Sequence, residues 1–444
     1  MKTFVNALCI IAFLASPSIV FGQLDATGFI RNYNAFLTQP EHELISGRNR
    51  LRLDLGTSFS KGEVTISNDI QNSYTQSADS ISYRLREAYV DLYFKSSDLR
   101  IGKQIISWGR AEGAFITDIL TPVDVTEFLT QDFADLRLGT PAIKYTHYFG
   151  SDYLQLVVNP AFQSNELPAI DDRWFPTLPI DTSIPINIRS SNDQPKLKDV
   201  QIAGRYAFRS NLDYDLDVGL LYWHHPTPTY NKSLQAQVTN VRISLTEQYA
   251  QSFIAMYSGS VQLSDKLLLT SESAYYNNRL VDYFPDQFRN LDLQTPTPNE
   301  ILQIGQTFSQ NEDGFLKKRP WFISMVGLQY NLWNTTINGQ FVNEHIFNYD
   351  PTILQERNFY YATLSLRRSF FRNTLQAQTF SRYNFEGGDF WINPELTYTG
   401  IDAVEFTAGT HLFGGQETDT FYGHLSFNNY QQNSFAYLQL SAYF

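Results

Sequence analysis

The stretch RNRLRLDLGTSF, residues 48–59, decides the fold. Arg50, Arg52 and Asp54 alternate with Leu51, Leu53 and Leu55. A strand turns successive side chains to opposite faces. One face of this strand is therefore charged and the other aliphatic. The same period returns in TLQAQTFSRY, residues 374–383, where Leu375, Ala377, Thr379 and Ser381 alternate with Gln376, Gln378, Phe380 and Arg382. Water on one side and hydrocarbon on the other demand this pattern, and hydrocarbon also demands that no strand edge stays open.

Working outward, segments of about ten residues with this alternation repeat from Gln23 to the last residue, as expected for membrane-spanning strands. The reading is an all-β chain: a single antiparallel up-and-down barrel of about 18 strands, with 16 the other even count the spacing admits. Short turn-like connections, SKG at 60–62, KSSD at 95–98, GSD at 150–152, SNLD at 210–213 and SDK at 264–266, fall at one end. Long connections, 109–140, 163–198, 224–247, 278–319 and 414–433, fall at the other. Short periplasmic turns and long extracellular loops separate in this way in an outer-membrane barrel.

Composition agrees. The 444 residues carry a net charge of −12, 18% charged and 15% aromatic side chains. That is far from a disordered chain, and the acidic balance offers no footprint for nucleic acid. No later segment reaches the roughly 18 consecutive apolar residues of a membrane helix. The opening MKTFVNALCIIAFLASPSIVFG reads as a signal peptide over residues 1–22. Lys2 supplies the positive start, and Val20 and Gly22 supply small residues before a cut ahead of Gln23. The barrel would then occupy 23–444. Cys9, the only cysteine, lies within the leader, so no disulfide holds the rest.

Aromatic pairs near strand ends, Tyr89 with Tyr93 and Phe94, Tyr222 with Trp223, Tyr360 with Tyr361 and Phe370 with Phe371, read as interfacial girdles. The final strand ends on Phe444, with Ala442, Leu440, Leu438 and Ala436 on the same face. It is similar to the C-terminal insertion signal of outer-membrane barrels.

Two charged groups stand out. Arg31, Arg50, Arg52, Arg84, Arg86 and Arg100 lie on strands near in sequence, hence neighbours in an up-and-down barrel. The lipid face penalises arginine by about 2–4 kcal/mol at mid-depth, so they should line the lumen. Either they form a basic wall for a pore, or Asp54, Asp69, Glu87 and Asp91 neutralise them structurally. The connection 109–140 sets Glu112, Asp118, Asp124, Glu127, Asp132 and Asp135 among the apolar Phe115, Ile116, Ile119 and Leu120. Folded inward it would bury the apolar residues and constrict the pore, with its acids facing the arginines. Left outside it would be a cap.

REAYVDLYFKSSDLRIGKQIISWGRAEG followed by ILTPVDVTEF resembles a family of proteobacterial outer-membrane barrels of unknown function. The matching positions are Gly102, Lys103, Gln104, Trp108, Gly109, Pro122 and Asp124, within roughly 50 residues. More widely the chain resembles porin-like and alginate-export-type barrels. The resemblance implies passage of a solute and names none.

Catalytic motifs are missing. His42, His147, His224, His225, His345, His411 and His424 show no zinc-protease spacing, and no G-x-S-x-G, phosphate loop or dinucleotide fingerprint occurs. The chain reads as no enzyme, with no cofactor and no metal. The expected function is a porin-like channel passing small polar solutes passively. The alternative is a selective transporter or exporter of a hydrophobic molecule or an anionic polysaccharide, and an outer-membrane enzyme is a third class. Expected partners are outer-membrane lipid, the barrel-assembly machinery and small solutes, with an oligomer allowed.

Overall fold

The wall is one closed sheet of 18 strands. A computed structural model describes residues 24–444 apart from 41, 76–79, 129–130, 170–171, 176–184, 190–198, 210–213, 238–239, 285–296, 312 and 417–425. The stretch expected to be a leader, 1–22, and the SNLD stretch expected to be a turn, 210–213, lie outside the described residues. In chain order the wall strands are β1 (Asp25–Leu37), β2 (Leu44–Phe59), β3 (Gly62–Ser73), β4 (Ser80–Tyr93), β5 (Ser97–Gln104), β6 (Thr140–Phe149) and β7 (Asp152–Asn159). After a short loop strand, β8 (Ile186–Arg189), come β9 (Gln201–Arg209) and β10 (Tyr214–His224). A loop hairpin, β11 (Thr229–Gln237) and β12 (Asn240–Gln248), precedes β13 (Gln251–Ser264), β14 (Leu267–Asp282), β15 (Leu316–Leu332) and β16 (Thr335–Ile346). The wall ends with β17 (Asn358–Phe370), β18 (Leu375–Asn384), β19 (Asp389–Ile401), β20 (Val404–Gly414) and β21 (Phe435–Tyr443).

Each wall strand pairs antiparallel with its neighbours in sequence, and β1 closes on β21 from Phe29↔Tyr443 to Leu37↔Phe435. The Gly28 and Phe444 main chains exchange hydrogen bonds of 3.0 and 3.1 Å at the seam. Closure satisfies every wall edge, which is what lets a sheet stand in hydrocarbon. The outer surface carries exposed Ile30, Ile101, Leu156, Leu220, Leu328, Leu366 and Leu440. Exposed aromatics mark the turn end (Phe94, Phe149, Tyr330, Trp333, Phe371, Phe444) and the loop end (Phe36, Tyr222, Phe253, Tyr275, Phe347, Phe385). The barrel with its two girdles is of the bacterial outer-membrane type.

Period two corrects some of the expected girdle. Within a strand, neighbouring residues turn to opposite faces, whereas at strand ends both can be exposed, as Tyr93 with Phe94 and Phe370 with Phe371 are. Tyr222 is exposed, whereas Trp223 and Tyr361 are buried inside. The Arg100 guanidinium lies 3.9 Å over the Tyr89 ring, so Tyr89 also belongs to the lumen. β5 stops at Gln104. Lys103, on the same alternation as Ile101 and Ile105, donates to the Leu85 carbonyl at 2.6 Å. The β3–β4 register shifts between Ser67 and Asn68, a bulge that brings that carbonyl within reach.

The long loops hold structure that the alternation does not reveal. β8 runs parallel to β12 and β11 pairs antiparallel with it, forming a three-stranded sheet. A helix, Pro298–Gln310, packs Ile304 with Ile243, Leu245 and Phe315 in a small core. Thr297 and Glu300 make a capping box and Pro298 takes the first turn, where its missing N–H costs nothing.

A closed barrel resists SDS at room temperature. The unboiled protein should therefore migrate differently from the boiled protein on a gel. Equal mobility of a refolded, detergent-soluble sample would contradict closure.

Candidate functional site

The chain leaves the wall after β5. Gly102 has φ +139°, and a Cβ there would come within 2.2 Å of the Ala88 carbonyl, so only glycine fits. Gln104 is fully buried and donates to the Ala142 carbonyl at 2.9 Å. The following segment then doubles back on itself inside the barrel. The Ile106 N–H donates to Thr121 Oγ1 at 3.0 Å, and the Thr121 hydroxyl donates back to the Ile106 carbonyl at 2.6 Å. The Trp108 N–H donates to Asp118 Oδ1 at 3.1 Å, and its indole N–H donates to Gln155 Oε1 at 2.6 Å.

One face of the folded segment is apolar. Ile106, Trp108, Ala114, Ile116, Ile119 and Leu120 form a continuous buried core with inward side chains of β6–β17, among them Val157, Ala203, Ile254, Met256, Met325 and Val342. These side chains close the space where the segment meets that wall. Glu272 of β14 fixes the segment at its far side. Its carboxylate is buried and accepts from the N–H groups of Arg110 and Ala111, from the Thr117 hydroxyl at 2.9 Å and from the Ser258 hydroxyl at 3.3 Å. Beyond it Gly113 lies against Phe380 of β18, where a Cβ would come within 2.1 Å of the ring.

The other face is acidic and meets the arginine wall. Asp135 pairs with Arg31 at 3.1 Å, Arg50 at 2.9 Å and Arg52 at 2.8 Å, with Arg86 at 3.9 Å. Asp132 pairs with Arg31 at 2.6 Å, Asp124 with Arg84 at 2.9 Å and Glu127 with Arg48. Burial alone would raise the Asp135 carboxyl. Arg52, Arg50, Arg31 and Arg86 outweigh it and hold the group below the usual carboxylate range.

Not every candidate sits in this junction. Asp118 pairs with Arg137 of its own segment, not with the wall, because Asp118 also caps the Trp108 turn. Arg100 pairs with Asp91 at 2.7 Å, toward the turn end and away from the loop. Glu112 instead lines an open cavity beside the wall. Asp69 does neutralise the wall, in two 2.9 Å contacts to Arg52. Phe444, Leu440 and Leu438 are exposed on the lipid side. Sequence reasoning missed Glu272, though it is the only acid between Leu267 and Val281 and lies on the inward alternation. Arg110, which reaches Asp215 and Asp217 at 3.4 and 3.6 Å, was likewise unassigned.

One cavity, of about 350 Å³, lies between the segment and the wall from β17 through β21 to β2, and another, of about 370 Å³, is lined toward the turn end by Asp91, Arg100, Lys144, Tyr153 and Gln155. In the first, Arg31, Arg48, Arg50 and Arg367 line the space with Glu112, Asp132 and Glu395, beside Phe133, Phe380 and Tyr437. Among the described residues no three His, Cys, Asp or Glu side chains converge as metal ligands.

Solved structures share this architecture. Pseudomonas aeruginosa OccK2 (OpdF), determined in complex with glucuronate, aligns over 95% of this chain and 97% of its own, with 9% identity and a TM-score of 0.53. Acinetobacter baumannii OccAB3 aligns over 95% and 99%, with 9% identity and a TM-score of 0.52. Pseudomonas aeruginosa OccK9 (OpdG) aligns over 95% and 98%, with 8% identity and a TM-score of 0.52. The fold is that of the outer-membrane porin barrels. Residues 31–169, from β1 to just past β7, match a family described as a protein of unknown function (DUF1302). No curated protein sequence matches the chain.

Removing one partner from a buried ion cluster costs about 3–5 kcal/mol. Asp135→Asn should therefore lower the unfolding midpoint in urea, read by intrinsic fluorescence. An unchanged midpoint would contradict the cluster. Because the Asp135 carboxyl is depressed, its contribution is complete above the unfolded carboxylate range and lost as pH falls through the folded value. Stability should show no loss attributable to Asp135 between pH 7 and 5, and should fall only in stronger acid.

Proposed function

We propose that the chain is a porin-like channel that passes small polar solutes passively across the outer membrane. One observation supports the reading: the inward segment borders a charged cavity along one side of a closed barrel. Arginines of β1 and β2 and acids of the segment set a transverse field across it. A charge pair at about 4 Å is worth roughly 1 kcal/mol in bulk water and more where water is confined. A solute with its own dipole or carboxylate would be oriented there. The carboxylate-bearing glucuronate held by the fold neighbour OccK2 is consistent with that class. The apolar face of the segment is buried against β6–β17, which argues against a greasy conduit for a hydrophobic molecule.

The same reading assigns roles at the two ends of the chain. Residues 1–22 would direct export and be removed, and Phe444 with Ala442, Leu440 and Leu438 would guide insertion by the assembly machinery. Residues 109–140 would act as the constriction, with Arg31, Arg50, Arg52, Arg84 and Arg86 on its wall.

Ion current through the purified protein in a planar bilayer tests the channel. Discrete conductance steps are expected, and a folded barrel that carries no current would overturn the reading. Arg367 lines the cavity with no ion pair among the described residues, so it is replaceable without breaking a cluster. Arg367→Gln should shift the zero-current potential in a salt gradient toward cations, most strongly at low salt, where charges are screened least. Deleting 111–130 should raise single-channel conductance. An unchanged conductance in the folded deletion variant would remove the constriction from the account.

A further inference from the structure

The outer face of β1–β3 departs from the rest of the belt. Arg31, Arg48 and Arg50 point into the lumen, so Asn32 and Asn49, between them in the alternation, point outward. Register sets Asn32 opposite Asn49 and Asn49 opposite Asn72, and Asn34 follows on the same face. The carboxamides bond to one another: Asn32 donates to Asn49 Oδ1 at 2.8 Å and Asn34 donates to Asn32 Oδ1 at 2.7 Å. Tyr74 donates to Asn34 Oδ1 from above at 2.5 Å. Around them Ile30, Phe36, Ile70, Leu438 and Leu440 are exposed as lipid-facing side chains. The patch is thus an amide island within the apolar belt.

Asn32 also donates to the Tyr74 hydroxyl at 3.2 Å. Each carboxamide has two donors and an acceptor with two lone pairs, so the bonds within the island leave donor capacity unused on Asn34, Asn49 and Asn72. Hydrocarbon offers nothing to it. A phosphate-bearing headgroup would call for cations, and every arginine of β1–β3 turns inward. A surface built from carboxamides is instead complementary to itself, because the same group donates and accepts. A single self-complementary patch closes on a two-fold axis, with one patch against the same patch of its partner.

We propose that this asparagine island on the outer face of β1–β3 is a homodimer contact, in which a second copy of the chain covers it in the membrane. The lone cysteine, Cys9, allows a clean test. In a Cys9→Ser background, Asn49→Cys places a single thiol in the island. Leu220→Cys places one on the far wall, at a side chain 73% exposed to lipid. Oxidation of isolated outer membranes should double the apparent mass of the Asn49→Cys protein on a non-reducing gel and leave the Leu220→Cys protein single. No doubling at 49, or equal doubling at both positions, would overturn the proposal. As an independent arm, native mass spectrometry in detergent should give twice the chain mass for the parent protein. It should give the single chain mass for Asn32→Leu/Asn49→Leu/Asn72→Leu, a variant whose belt is apolar throughout. A parent protein of single mass, or a variant that keeps the doubled mass, would equally overturn it.

Discussion

The carboxylate of Asp135 is the fixed point of this molecule. It meets three arginines of β1 and β2 within about hydrogen-bond range and a fourth from β4 farther off. Four cations crowded on one wall would repel one another and resist burial. Asp135 and Asp132, brought in from a loop, offset both problems together with Asp69 of β3. The arginines hold the loop in and the loop's acids make the arginines tolerable, so neither is stable as placed without the other.

The position of everything else in the lumen follows from that junction. With Asp135, Asp132, Asp124 and Glu127 turned to β1–β4, the opposite face of the segment must meet β6–β17, and there both surfaces are apolar. Glu272 ties down the stretch between Arg110 and Thr117 by accepting main-chain and hydroxyl donors. The segment thus has two chemically different faces: an apolar one buried against β6–β17, and a charged one bordering the cavity along β17–β21 and β1–β2.

The wall was legible in the sequence because lipid and water impose a period of two on every spanning strand, and RNRLRLDLGTSF shows it without ambiguity. The inward loop was partly legible. Phe115, Ile116, Ile119 and Leu120 are too apolar for a loop in water, and Asp135 stands out beside a run of arginines in the wall. Which acid meets which arginine was not, because that depends on contacts about a hundred residues apart, such as Arg31 with Asp132. Asp118 shows the difficulty: it has the same composition signal as Asp135, yet it closes a turn within its own segment. Glu272 carried only its inward position, and its role arises from a loop 161 residues away at Ala111. The helix at Pro298–Gln310 was readable from the Thr297-x-x-Glu300 signature, which the strand pattern around it obscured.

Residues 105–128 and 131–139 are packed inside the barrel and not spread over its mouth. Hydrogen exchange of the folded protein in detergent, followed by mass spectrometry, measures this directly. The Ile106 and Trp108 amides are held by Thr121 and Asp118, and those of Asp124 and Leu138 by the carbonyls of Leu136 and Pro122. The account predicts that peptides covering these amides exchange as slowly as peptides from β6 or β14. Exchange of the whole segment within seconds, beside protected wall strands, would contradict it.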